Sequence, residues 1–147
     1  MWSRNIQTFL PYADFTKSAQ CIDNKRLWKQ VLEADGIIQI LAGARKGYRN
    51  HPAVKMWEGY SDALLCYRNA CVGEWLKRRL HYGELQFLFA TPYDTTQSSG
   101  PSWLGDERFH SSHRAALLMK YPEWYSQFGW KEKPEINYFW PTKGETK

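Results

Sequence analysis

The sequence predicts an all-α fold: a compact single-domain helical bundle over residues 1–147, built from about three principal helices with long loops and an extended C-terminal strap. Three observations carry this expectation. Apolar residues recur at spacings of three and four along several stretches, which places them on one face of a helix. Side chains that cap helices, and prolines that open or stop them, stand at the ends of those stretches. A chain of 147 residues, 43% hydrophobic and 24% charged, is long enough to build one core without disulfides or a structural metal, and it shows no internal repeat or linker.

Taken in order, Asp14 caps a short helix over 15–22, because its carboxylate accepts backbone N–H groups that the first turn leaves unpaired. Asp23 caps the next. There Leu27, Val31, Ala34, Ile38 and Leu41 form one apolar stripe along a helix of roughly 24–42 ended by Gly43, while Lys25, Arg26, Lys29 and Gln30 occupy the opposite face of its first turns. Residues 44–50 have no period and read as an exposed basic loop, in which Arg45, Lys46 and Arg49 suit phosphate contact. Pro52 opens a helix with His51 at its mouth and Met56 and Trp57 inside. A longer stripe, Tyr60, Leu64, Tyr67, Cys71, Trp75 and Leu76, runs to about Leu80, and Lys77, Arg78 and Arg79 in its last turn complement the helix dipole. The turn-rich, aromatic connection 82–105 reads as a loop with the length of a lid. A further helix runs from near Asp106 to about Lys120, and Pro122 stops it and starts a short segment over 123–128. The tail from Pro134 to Pro141 holds Tyr138, Phe139 and Trp140 between prolines, as an extended strap would.

Composition narrows the function. Twenty Lys and Arg against fifteen Asp and Glu give a formal net charge of +5, and eight Trp, nine Tyr and seven Phe exceed what one core of this size readily uses, so some rings are expected at a surface site. The mean hydropathy is −0.65. No apolar run approaches the ~18 residues of a membrane span, and the N-terminus lacks a signal-peptide stretch. A soluble, cytoplasmic protein without membrane association is expected, nucleoid-associated if it binds DNA. Cys21, Cys66 and Cys71 form no CxxC pair and read as reduced, buried hydrophobes. There is no Walker A loop, GxGxxG or GxSxG, which sets aside ATPase, dinucleotide and esterase readings.

Three constellations carry chemistry. The first is Asp23-Asn24-Lys25-Arg26-Leu27-Trp28-Lys29-Gln30, where a helix N-terminus flanked by cations offers a phosphate site, and a lysine crowded by other cations becomes a better nucleophile. The second is Phe109-His110-Ser111-Ser112-His113-Arg114, whose histidines share one helix face. Its alternatives are hydrogen bonding to a phosphate or a flipped base, structural histidines inside the bundle, or a metal shared with a distant third ligand; no metal and no cofactor are expected. The third interleaves cations with rings, among them Tyr48, Arg49, His51, Trp57, Arg68, Trp75, Trp103 and Arg108. Cations attract a phosphate backbone and rings stack on unpaired bases at ~1–3 kcal/mol each, which suits a distorted or opened duplex.

The segments FLPYADFTKSAQCIDNKRLWKQ, RNHPAVKMW and WLGDERFHSSHRAALLMKYPEWYSQFGW together resemble the pyrimidine-dimer DNA glycosylase family, the endonuclease V of phages and its wider bacterial relatives, the bacterial branch above all. The resemblance implies an all-α, metal-free enzyme acting on double-stranded DNA with damaged or modified pyrimidines, with no obligate protein partner. It implies an amine that attacks the sugar C1′, forms a Schiff base and cleaves the abasic site, assisted by a carboxylate. The carboxylate is then Asp23 and the amine that of Lys25, Lys29 or Met1. His110, His113 and Arg114 would hold a phosphate or the extruded base, with Arg26 and the basic loop on the backbone and Trp57 and Trp103 as wedges or stacking partners. Other readings are a catalytically silent DNA-binding module, an enzyme cleaving the N-glycosidic bond of a small nucleoside or nucleotide, and metal-dependent phosphoester hydrolysis through His110, His113 and Asp106.

Overall fold

Asp14 and Asp23 both act as short acidic caps. The Asp14 carboxylate accepts from the Lys17 N–H at 2.9 Å and opens α1 (Phe15–Cys21); that of Asp23 accepts from the Arg26 N–H at 3.4 Å and opens α2 (Asn24–Leu41). The computed structural model describes residues 6–80 and 100–141. It continues with α3 (Pro52–Lys55), α4 (Ser61–Leu80), α5 (Glu107–Lys120) and α6 (Pro122–Tyr125), which runs into a 3-10 turn, Ser126–Phe128. The described residues contain no strand, and α2, α4 and α5 are the three principal helices. Met1, and most of the connection read as a loop over 82–105, lie outside the described residues. No helix among the described residues is long and apolar enough to cross a membrane.

The core forms where α2 packs along α4, with α1 against the same helix. Leu27, Val31 and Ala34 are buried as the stripe requires, but Ile37 and Ile40 go deeper than Ile38 and Leu41, because 3.6 residues per turn rotate the stripe along 18 residues. Arg78 ties the pair to α1: it donates to Glu74 at 2.8 Å, to the Asn24 side chain at 2.8 Å and to the carbonyls of Ala19 and Gln20. Much of the aromatic excess goes inside. Phe15, Trp57, Tyr67, Phe109 and Tyr125 are fully buried. Trp57 and Trp103, expected at a DNA surface, meet edge to face in the core with centroids 5.0 Å apart, and their indole N–H groups donate to the Thr8 hydroxyl at 3.0 Å and the Met56 carbonyl at 2.8 Å. The cysteines are free, and burial pushes the Cys71 thiol up to about 12.

Residues 7–11 run through this core without a helix or strand of their own, so their backbone groups need side-chain partners. α2 supplies Glu33 and Gln30: the Gln7 N–H donates to Glu33 at 3.1 Å, the Phe9 N–H donates to Gln30 at 2.7 Å, and Gln30 donates back to the Gln7 carbonyl at 3.0 Å. α4 supplies the Tyr67 hydroxyl, which donates to the Phe9 carbonyl at 2.7 Å. α5 supplies the rest. His110 Nδ1–H donates to the Leu10 carbonyl at 2.8 Å, the Leu10 N–H donates to His113 Nδ1 at 2.9 Å, and Arg114 donates to the Pro11 carbonyl at 2.7 Å.

The strap lies along α5, held by a bond from the Glu135 N–H to the Ala115 carbonyl at 3.2 Å and one from the Phe139 N–H to the Ser112 hydroxyl at 3.1 Å. Arg108 covers the Phe139 ring at 4.4 Å. Its alternate residues Ile136, Tyr138 and Trp140 face a cleft against α2.

Candidate functional site

That cleft has a volume of about 510 Å³, within the ~300–1,000 Å³ usual for small-ligand sites. One wall is a polar stripe on α2. Arg26, Gln30 and Glu33 stand four and three residues apart, hence on one helix face, with Lys29 beside them. The strap forms another wall through Ile136, Tyr138 and Trp140, and Gln7, Phe9 and His51 also line the cleft. Lys120, the last residue of α5, completes the rim.

Glu33 is the buried acid of this cleft, 6% exposed. Its Oε1 accepts from the Gln7 backbone, which holds the carboxylate in one orientation. The cations around it differ in freedom. Arg26 is half-buried and donates to both Asp23 oxygens at 3.2 and 3.4 Å. Lys29 and Lys120 are exposed. Partial burial, then the positive charges of Arg26 and Lys29, hold the Lys120 ammonium below the ordinary lysine pKa.

A second depression, of about 490 Å³, adjoins the first and shares Arg26 and Lys120 with it. Asp23, Asn24 and Lys25 come from the start of α2, and Tyr121 and Trp124, whose rings stack with centroids 6.5 Å apart, from the α5–α6 corner.

The predicted site residues divide between these hollows, the core and the outer loop. Lys29, Arg26 and His51 line the cleft; His51 also caps α3, its Nδ1 accepting from the Ala53 N–H at 3.0 Å, and its ring meets Trp140 edge-on. Asp23 and Lys25 line the second depression. Asp23 is 2% exposed and heavily engaged: besides Arg26 it accepts from the Tyr125 hydroxyl at 2.5 Å, and burial, then this bond, pushes the phenol pKa up. Arg45 and Lys46 are exposed on the basic loop. Arg49 there donates to the Ile40 carbonyl at 3.0 Å, closing α2, and pairs with Glu58 at 3.5 Å.

The histidine cluster is where the structure departs most from the ligand-holding expectation. His110, His113 and Arg114 are 2%, 0% and 8% exposed, and their polar atoms meet the backbone of residues 10–11. His110 is bonded on both nitrogens, Nε2 accepting from the Gly105 N–H at 2.9 Å. Arg114 also pairs with Glu132 at 2.8 Å and with Glu107. Burial, helped by neighbouring His110, drives the His113 pKa down to about 3, so the ring is neutral. Among the described residues no three His, Cys, Asp or Glu side chains are grouped as a metal would require.

Glu33, Lys120 and the strap's alternating face went unread as site features in the sequence, whereas Gln30 was placed on the polar face of α2. The signal was present: Arg26, Gln30 and Glu33 form a polar stripe beside the apolar stripe of the same helix, and Ile136, Tyr138 and Trp140 alternate as one side of an extended segment does.

The sequence model of one protein family, pyrimidine dimer DNA glycosylase, matches residues 6–84, more than half of the chain, including α2 with its polar stripe. No curated protein and no solved structure matches it.

Proposed function

The chain belongs to the pyrimidine dimer DNA glycosylase family, whose substrate is DNA, and from that premise we propose that base excision takes place in the cleft between α2 and the strap, with Glu33 as the assisting carboxylate. The supporting observation is the placement of one buried, oriented carboxylate on a wall that also carries Arg26 and Lys29. As the C1′–N1 bond lengthens, positive charge develops on C1′ and O4′ of the sugar. A fixed carboxylate in a partly dry cleft stabilises that charge more than water does. The cations at the rim take the phosphates flanking the lesion, and the rings of Tyr138 and Trp140 offer stacking surface to an extruded pyrimidine.

Asp23 has the weaker claim to the carboxylate role, because cap, guanidinium and phenol already use its oxygens. It becomes a positioning residue that holds Arg26 between the two hollows. Strand cleavage at the abasic sugar, through an amine, is the second step of this reading, and membership of the bacterial branch that the sequence resembles is proposed with it. Double-stranded, damaged DNA is the proposed form of the substrate.

The test is a duplex with one cyclobutane thymine dimer, incubated with the full chain and then treated with alkali, which breaks the strand wherever a base has been lost. Cleavage at the dimer, with an undamaged duplex left intact, is expected. A dimer duplex that survives an excess of folded protein overturns the proposal.

A further inference from the structure

We propose that Gln7 is a second catalytic residue of the excision site, its Nε2 donating a hydrogen bond to O2 of the pyrimidine that is cut from its sugar. This rests on the reading that the cleft between α2 and the strap is where excision takes place. Gln7 lines that cleft and is 5% exposed. Its backbone is fastened on both sides, the N–H donating to Glu33 Oε1 at 3.1 Å and the carbonyl accepting from Gln30 at 3.0 Å. Its Oε1 accepts from the Thr8 N–H at 2.9 Å, which fixes the orientation of the amide and turns Nε2 the other way. That Nε2 is closed to solvent, and no acceptor among the described residues bonds to it.

A buried donor without a partner opposes folding, and native structures seldom keep one. The other amide of the cleft shows the ordinary outcome: Gln30 donates to the Gln7 carbonyl and accepts from the Phe9 N–H at 2.7 Å. Beside Gln7 stands the phenol of Tyr138. Burial raises the Tyr138 pKa and the Gln7 amide lowers it, so the N–H end of the amide faces the phenol oxygen, although the two do not meet the geometry of a hydrogen bond. A pyrimidine stacked on the Tyr138 ring presents its edge to that same amide. Its carbonyl oxygen displaces the phenol and supplies the acceptor that the free chain lacks.

The link to Glu33 identifies the oxygen. In this reading Glu33 stands at the sugar, and because the Gln7 N–H holds it, the amide of the same residue lies on the sugar side of the base, where O2 projects and O4 does not. As the C1′–N1 bond breaks, its electron pair passes to the base. In an intact pyrimidine that charge spreads through the C5=C6 bond to O4 as well as to O2. A cyclobutane dimer has lost C5=C6, so the charge is confined to N1 and O2. A donor fixed on O2 therefore stabilises the leaving group while Glu33 stabilises the sugar cation. Nε2 keeps its proton throughout. Water gives a proton to N1 and its hydroxyl to C1′, so the step balances without an oxidant or reductant.

Two measurements on the full chain test this. Gln7→Met keeps the length of the side chain and removes the donor, so base release from a thymine-dimer duplex at saturating protein, read as strand breaks after alkali, should fall about 10²-fold while affinity for that duplex changes far less. Because Gln7→Met also leaves the Thr8 N–H without its acceptor, the second measurement uses the parent chain. Bound to a duplex whose dimer carries 2′-fluoro sugars, which resist loss of the base, the Gln7 Nε2 protons should move downfield in nitrogen-15 spectra from their position with an undamaged duplex. If Gln7→Met does not fold, that shift alone decides. Undiminished release by folded Gln7→Met, a loss confined to affinity, or Nε2 protons that do not move overturns the inference and leaves excision standing. No base release by the parent chain overturns the excision reading and this inference with it.

Discussion

The start of α5 and the polar face of α2 both concentrate charged and hydrogen-bonding side chains, and the molecule uses them for opposite purposes. On α5, His110, His113 and Arg114 turn inward and bind the carbonyls and N–H of Leu10 and Pro11. On α2, Gln30 and Glu33 bind the same segment at Gln7 and Phe9, yet Glu33 also faces a cleft that Lys29 and Lys120 line. The difference lies in what stands opposite. α5 faces a chain segment without secondary structure, whose buried polar groups each cost about 1–3 kcal/mol if left unpaired, so its chemistry-bearing residues are consumed by folding. Residue type alone therefore does not separate side chains consumed by folding from one that also faces open space.

Two carboxylates on α2 give the sharpest contrast and the largest expected effect. Glu33→Gln keeps an oxygen that accepts from the Gln7 N–H but removes the charge, so base release should fall about 10²–10³-fold with little change in melting temperature. Asp23→Asn should do the reverse. It weakens the bonds from Arg26 and Tyr125 at a buried cap and should cost about 1–3 kcal/mol of stability, read by urea unfolding, with a far smaller loss of excision than Glu33→Gln at a temperature where it stays folded. Exchange of the two outcomes would return the catalytic role to Asp23.

The α5 side of the comparison is tested by acid. The His113 pKa is about 3 in the folded chain, against an ordinary value of 6.5 when unfolded, so the unfolded state takes up the proton first. Stability is fully present above pH 6.5 and is lost as pH falls toward 3, at up to about 1.4 kcal/mol per pH unit, or about 2 kcal/mol between pH 6.5 and 5. Burial shifts His110 in the same direction and adds to the slope. His113→Phe keeps a ring among Phe9, Phe109 and Tyr138 but leaves the Leu10 N–H without its acceptor. It should cost about 1–3 kcal/mol at pH 7 and flatten the acid slope in urea titrations. An unchanged slope would mean that His113 titrates near its ordinary value and is not part of the inner clamp.

Local signals carried the helices. Asp14, Asp23, Asp106 and Pro52 mark their starts in the chain as they do in the structure, because capping and the proline ring act within one turn. The site was legible only in part. Arg26 and His51 were read as DNA contacts and Lys29 as a candidate amine, and all three line the cleft, but their partners there come from residues 6–9, 120 and 136–140, and no periodicity within one helix encodes such distant meetings. Trp57 and Trp103 were misplaced for the same reason, since a tryptophan beside basic residues looks alike whether its ring faces DNA or Phe109. Glu33 stood in plain sight, a charged residue on the stripe continued from Arg26 and Gln30.

The smallest effect belongs to the basic loop, and it separates attraction from chemistry. Residues 44–50 are exposed and lead directly into His51, which lines the cleft, so cations there lie beside any duplex entering it. Such charges act through counterion release. Each phosphate neutralised contributes roughly −0.9 to the slope of log affinity against log salt, without regard to the lesion. Lys46→Ala should therefore weaken binding to dimer-containing and undamaged duplexes alike, by a few-fold at about 0.15 M salt, with a slope shallower by about one. Lowering the salt should restore its excision to the parent level, whereas Glu33→Gln should gain nothing, because its deficit arises in the transition state and not in encounter. A Lys46→Ala defect that persists at low salt would place the loop inside the site and erase the boundary between the rim that gathers DNA and the wall that acts on it.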